Sequence, residues 1–138
     1  MDTLTPAQRS DCMRKIKSHN TRPELIVRSI CHQLGYRFRL GRKDLPGTPD
    51  LVFPRLKLCI FVHGCFWHRH SGCRYSYTPK TNVDFWIEKF LKNVRRDKLA
   101  SDALESAGWK VEVVWECEVR DLESLKPRLA GVLKSQDL

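Results

Sequence analysis

The sequence predicts an α/β fold, a mixed central sheet flanked by helices. Three observations carry this expectation. Two helix-start signals, "TPAQ" and "TRPE", come early. Two short apolar runs, "DLVF" and "LKLCIFV", stand at hairpin spacing in the middle. A long helical stretch then separates them from one more apolar run, "WKVEVVW".

The elements follow in order. Thr5 caps a first helix, with Pro6 at its first position and Gln8 completing a capping box, and this helix fades by His19-Asn20. Thr21-Arg22-Pro23-Glu24 opens a second helix in the same way. Ile26, Ile30 and Leu34 form its buried stripe and Gly35 ends it. "YRFRL" alternates apolar and basic residues, so it reads as a strand with Tyr36, Phe38 and Leu40 facing the core. "LPGTPD" is a turn, and the two apolar runs that follow pair across Pro54-Arg55 as a hairpin. A helical region runs from about 82 to 107 and stops at Gly108. "WKVEVVW" is a strand with Val111, Val113 and Trp115 on one face. Asp121 caps a last helix whose stripe is Leu122, Leu125, Leu129 and Val132. The order is α-α-β-β-β-α-β-α. With 138 residues and no repeat or linker, the chain is expected to form one domain spanning 1–138.

The formal net charge of +9 favours a polyanionic partner, with nucleic acid first among them. No apolar run is long enough to span a membrane, and the first residues lack a signal peptide's apolar stretch. The expected location is therefore the cytoplasm, where the six cysteines serve as metal ligands or buried thiols instead of disulfides.

The densest chemistry lies in "HGCFWHRHSGC", His63 to Cys73. Cys65, His70 and Cys73 have the spacing of zinc ligands. Cys117, directly after the last strand, is the best fourth. A closed site of this kind is structural. Cys59 in a strand, Cys31 on a helix stripe and Cys12 among charges fit less well as ligands. Spacing alone does not decide between His68 and His70 as the imidazole ligand.

Asp50 starts the hairpin, so Val62 and His63 at the hairpin's end should lie beside its carboxylate. That juxtaposition can hold Mg²⁺, a hard cation, and suits phosphodiester hydrolysis. The rival role for Asp50 is a turn aspartate. His63 and His68 are left for acid–base work, surface histidines being the plainer alternative. Phe66, Trp67 and Trp86 could wedge into a base step or pack in a core. Lys89, Lys92, Asn93 and Arg96 share a helix face, beside Arg95, that could contact phosphates, with Asn93 reaching a base edge. Met13, Arg14 and Lys15 offer a further DNA contact in the N-terminal segment 1–20.

"TRPE", "GTPDLV", "FVHGCFWHRHSGC", "FWIEKFLKNVRRD" and "GWKVEVVWEC" occur in this order, and together resemble the very-short-patch (Vsr) mismatch repair endonucleases. The resemblance runs from about Ser10 to Arg120. It implies a restriction endonuclease-like core with a structural zinc, and a strand-specific, Mg²⁺-dependent endonuclease; cutting one strand of an asymmetric site makes a monomer the expected state. Such an enzyme nicks duplex DNA 5′ to the T of a T·G mismatch left by deamination of 5-methylcytosine. The implied functional partners are a cytosine-5 DNA methyltransferase, MutL and a DNA polymerase. Carried over by position, Asp50 and the Val62 carbonyl would bind Mg²⁺, where the family often has threonine at the second position. His63 would support metal-bound water and phosphate, and His68 would be the base. Glu24 would join the active site, although the residues alone also make it a capping-box member. Cys65, His70, Cys73 and Cys117 would hold Zn²⁺. The loop "HRHSGC" is one residue longer than in the best-known members. Two other readings of the residues are a nuclease with broader mismatch or site preference, and a zinc-stapled DNA-binding module without activity.

Overall fold

A computed structural model describes residues 20–137. The first expected helix, and with it Met13, Arg14 and Lys15, lies outside the described residues. Helix α1 (Arg22–Gln33) leads to a β-hairpin of β1 (Leu51–Phe53) and β2 (Leu58–His63). Helix α2 (Val83–Ser106) crosses over to β3 (Lys110–Trp115). A 3₁₀ turn (Glu116–Arg120) and helix α3 (Leu122–Gln136) follow. The three strands form one mixed sheet in the order β1-β2-β3. β1 and β2 are antiparallel, and β2 and β3 are parallel.

The sheet is covered on both faces. Leu51, Phe53, Leu58, Ile60 and Val114 pack against α1 and α3 through Val27, Ile30, Leu125, Leu129 and Leu133. Val52, Cys59 and Phe61 pack on the other face with Leu104 of α2 and Trp109. Alternate residues of each strand thus enter opposite cores, which is why "LCIFV" is apolar throughout. No described helix is long and apolar enough to cross a membrane.

Four expectations need correction. The hairpin turns over residues 54–57 and not over Pro54-Arg55 alone, so Phe53 pairs with Leu58 and β2 begins two residues later than the apolar run. "YRFRL" joins the sheet only through an isolated bridge between Arg39 and Val52. Its neighbour β1 is three residues long, and the next hydrogen-bonded pair after Arg39–Val52 would need the N–H of residue 54, which is Pro54. Leu40 consequently ends 47% exposed. In α1 the buried face is Glu24, Val27, Ile30 and Cys31, while Leu34 caps the helix and is 39% exposed. In α3 the stripe is Leu125, Leu129 and Leu133; Leu122, in the first turn, is exposed and Val132 lies at the margin.

Candidate active site and metal centre

The hairpin register carries the first half of the site. Leu51 faces Ile60, so Asp50 returns beside the end of β2, and its Oδ2 accepts the Val62 N–H at 2.6 Å. The turn before it is held tightly against α2. Gly47 has φ +74°, and a Cβ there would stand 2.7 Å from the Ala100 Cβ. Asp50 lines an open cleft of about 880 Å³ together with Glu24, Arg28, His63, His68 and Asp97. Burial pushes the Asp50 carboxyl up to about 7, and the nearby Glu24 charge adds to the rise. The Val62 N–H, His68 and Arg28 oppose it.

Glu24 is 4% exposed at the start of α1. Thr21 Oγ1 accepts the Glu24 N–H at 3.4 Å, the first half of a capping box. The Glu24 carboxylate does not close the box. Its Oε2 accepts the Asn20 N–H at 2.8 Å, one residue before the cap, and pairs with the Arg28 guanidinium at 3.2 Å. It serves a capping-type bond and faces the cleft at once.

Across the cleft, His63 and His68 stack with ring centroids 3.9 Å apart and planes within 7°. Nδ1 of His68 lies 2.6 Å from Asp97 Oδ2. That separation is a hydrogen bond; an ion between two ligand atoms needs them roughly 3 Å or more apart. With Nδ1–H given to Asp97, Nε2 of His68 is left as a proton acceptor. Burial, with the nearby His68, lowers His63 to about 4. A neutral His63 can stay stacked on His68 when the latter takes up a proton.

Asp97 and Arg28 were not singled out from sequence. Asp97 carries a legible signal. On α2 it falls on the stripe Phe90, Asn93, Ala100, Leu104 that faces the protein, and an acid on such a stripe has a partner there.

The second centre is the cluster of Cys65, His70, Cys73 and Cys117, whose ligand atoms lie within 4.8 Å of one another. His70 Nδ1 is 3.7 Å from Cys65 Sγ and 3.4 Å from Cys117 Sγ. A tetrahedron with bonds of about 2.0–2.3 Å places its ligands about 3.4–3.8 Å apart, so this donor set can close around a metal ion. His70, stacked on Trp115 at 4.3 Å, sits in this cluster, while His68 is taken by Asp97. Burial raises Cys65 to about 12 and also raises Cys117. Crowded thiols of this kind become good ligands once a cation compensates their charge. Cys31 and Cys59 are buried thiols in the cores, as expected from their positions.

The loop between the two centres is fastened from several sides. Arg69, at φ +57°, donates to the carbonyls of Ser76 and Tyr77 and lies 4.0 Å above the Phe90 ring. Asn93 is buried and donates to the Trp67 carbonyl at 3.2 Å, and its own Oδ1 accepts from Arg96. Phe66 and Trp67 meet edge-on at 5.0 Å, and Trp86 lies within 6 Å of both, the centroid distances being 5.8 and 5.9 Å. These three aromatics therefore form one cluster of partly buried side chains. Beside it, Lys89, Lys92, Asn93 and Arg96 line a shallow surface groove of about 580 Å³ with Phe85 and Glu88.

A carboxylate facing an aspartate-backed histidine, next to a cation-lined groove and an aromatic cluster, defines a hydrolase that acts on a polyanion. Comparison with known proteins gives the particular family. Residues 1–74 match the family described as DNA mismatch endonuclease Vsr. The type II nicking enzyme V.XorIIP of Xanthomonas oryzae is 53% identical over 132 residues, 96% of each chain. The type II nicking enzyme V.NmeAIP of Neisseria meningitidis is 44% identical over 133 residues, covering 96% of this chain and 94% of that protein. The DNA mismatch endonuclease Vsr of Escherichia coli is 41% identical over 124 residues, 90% of this chain and 79% of its own. The chain belongs to the Vsr family of DNA mismatch endonucleases, and it is a DNA endonuclease.

Proposed function

We propose that this protein nicks one strand of duplex DNA 5′ to the T of a T·G mismatch, with Mg²⁺ held at Asp50. The carrying observation is the single cleft that sets Asp50 against the His63–His68–Asp97 group. The family implies a restriction endonuclease-like core; the chain length suits a single domain over 1–138, and cutting one strand of an asymmetric mismatch suits a monomer.

The donor set fits a hard cation. Asp50 is a desolvated carboxylate with one oxygen spent on the Val62 N–H, and a second carboxylate, Glu24, raises its cost of ionisation. A cation at Asp50 relieves that cost, with the Val62 carbonyl as a second oxygen donor. When bound, Mg²⁺ supplies polarisation of the phosphodiester and of an attacking water. His68 would accept a proton at Nε2 from the attacking water, with Asp97 holding the ring and stabilising the charge it gains. His63, neutral and buried, braces His68 by stacking and stands toward the phosphate.

Cys65, His70, Cys73 and Cys117 hold Zn²⁺, which fixes the loop between β2 and the aromatic cluster. Phe66, Trp67 and Trp86 wedge beside the wobble pair, where unstacking costs least, and Lys89, Lys92 and Arg96 contact phosphates. Met13 and Arg14 add a contact from the N-terminal segment. The nick serves very short patch repair after 5-methylcytosine deamination, in the cytoplasm, together with a cytosine-5 methyltransferase, MutL and a DNA polymerase.

A panel of duplexes carrying each mismatch and perfectly paired controls, incubated with protein and Mg²⁺, tests this reading. One nick at T·G and little elsewhere is expected. Equal cutting of several mismatches favours the broader nuclease. Full cleavage by Asp50→Ala would refute the assignment of the metal ligand.

A further inference from the structure

We infer that Tyr77 is a fourth aromatic contact to DNA beside Phe66, Trp67 and Trp86, stacking on a nucleotide next to the opened base step, and that Arg69 is the positioning residue that presents it. The inference rests on the DNA contact proposed for that cluster.

From Arg74 to Asn82 the chain forms no helix or strand. Arg69 ties this stretch to the aromatic loop. Its Nη1 donates to the Tyr77 carbonyl at 2.8 Å and to the Phe66 carbonyl at 3.4 Å. Its Nη2 donates to the Ser76 carbonyl at 3.1 Å and to Thr78 Oγ1 at 3.2 Å. The guanidinium carbon lies 4.0 Å from the centre of the Phe90 ring. A planar fork suits this work, because its fixed N–H directions reach several oxygens at once. One side chain therefore holds residues 76, 77 and 78 together. Its donors are spent on protein groups and not on phosphate.

The Tyr77 ring itself is held out from the fold. It is 62% exposed, with its centroid 5.1 Å from that of Phe66. On the other flank Phe85 is 58% exposed and lies 5.3 Å from Trp86. The aromatic surface thus runs without a break from Tyr77 through Phe66 and Trp86 to Phe85. A continuous exposed apolar patch marks a contact site, where a single exposed ring does not. Its rim is cationic. The segment 74–80 carries Arg74 and Lys80, both exposed, and no acid. Lys89 Nζ lies 5.6 Å from the centre of the Trp67 ring. Cations around exposed rings match phosphates around bases. A ring held in place before DNA arrives also spares the ordering cost that a loose loop would impose on binding.

The test measures the affinity of the zinc-loaded full chain for a T·G duplex and for its T·A counterpart, by fluorescence anisotropy in Mg²⁺-free buffer. Tyr77→Ala should weaken T·G binding about tenfold, the weight of one base–aromatic stack, and leave T·A binding unchanged. Tyr77→Phe should match wild type. Tyr77→Leu, apolar but without the flat ring, should match Tyr77→Ala. Arg69→Ala should lose the same factor with its zinc content unchanged, and the Arg69→Ala/Tyr77→Ala double variant should lose no more than either alone. Where Arg69→Ala lowers the zinc content, Arg69→Met, which keeps the stem over Phe90, takes its place. Wild-type discrimination in Tyr77→Ala or Tyr77→Leu would overturn the stacking role. Losses that multiply in the double variant would overturn the role of Arg69 in presenting the ring. Trp67→Ala separates the two readings. Unchanged T·G affinity there would overturn the contact proposed for the whole cluster, while a loss there beside an unaffected Tyr77→Ala would overturn this inference alone.

Discussion

Replacing Asp50 by asparagine should stabilise the metal-free protein, and by an amount that depends on pH. The folded carboxyl sits at about 7 against an ordinary value of 3.8. A raised acid binds its proton more tightly folded than unfolded, so stability falls as pH rises from about 4 to about 7. Above that, the full cost is present. At about 1.4 kcal/mol per pH unit, the difference is about 4 kcal/mol at pH 8. The cleft is open to water, so roughly half of this, about 2 kcal/mol, is expected to be realised. Asparagine keeps the shape and can still accept the Val62 N–H. The variant should therefore melt roughly 6–10 °C higher than wild type at pH 8 in Mg²⁺-free buffer. The gain should shrink to under about 1 kcal/mol at pH 5. Millimolar Mg²⁺ should raise the melting temperature of wild type alone. Thermal melts of zinc-loaded protein at pH 5 and 8 measure all of this. An asparagine variant no more stable than wild type at pH 8, or a gain that ignores pH, would show that Asp50 is not held ionised at a cost.

Further outcomes follow from the same geometry. Asp97→Asn should slow single-turnover cleavage by about 10²- to 10⁴-fold while mismatch affinity, read by a gel shift, stays the same. Cys117→Ala should lose stoichiometric zinc, measured by elemental analysis, and melt at lower temperature; retained zinc would remove it from the ligand set. Changing Lys89, Lys92 and Arg96 together to alanine should flatten the plot of log affinity against log salt by about 0.9 per lost phosphate contact. An unchanged slope would place the DNA elsewhere. Gly47→Ala should destabilise the fold by about 1–3 kcal/mol through its clash with Ala100, and cleavage should fall with it because Asp50 follows the same turn.

Much of the site is legible in the residues, for a physical reason. The hairpin itself returns the end of β2 to Asp50, but the register is not legible: counting across Pro54-Arg55 sets Asp50 opposite Cys59, and the four-residue connection 54–57 shifts the pairing by two and brings Val62 to the carboxylate. Cys65, His70 and Cys73 lie within nine residues, where loop closure is cheap and spacing is informative. Cys117 was reachable because β3 runs parallel beside β2 and ends next to the same loop. The His68–Asp97 bond spans 29 residues and depends on how α2 is turned about its axis, which no local pattern fixes. The Arg28–Glu24 pair is local, but its i,i+4 spacing is common on helix surfaces, and only burial makes it unusual. "YRFRL" has strand periodicity, yet Pro54, opposite Arg37 in the register of the Arg39–Val52 bridge, lacks the donor that a longer ladder would need.

Helix α2 has a consequence for how the protein can change over generations. It carries Trp86 near its start and Asp97 in its middle, and both are fixed on one rigid cylinder. Those 11 positions span about 16 Å at 1.5 Å per residue. On the proposed function, the stretch acts as a ruler between the place where a distorted base step is felt and the bond that is cut. One inserted or deleted residue within it would swing one end by about 100° relative to the other. Only whole-turn changes of three or four residues would preserve both ends, and each would move the cut along the strand. Insertions in the polar loop before Asn82 would carry no such penalty. Length variation among relatives should collect in that loop and spare the ruler.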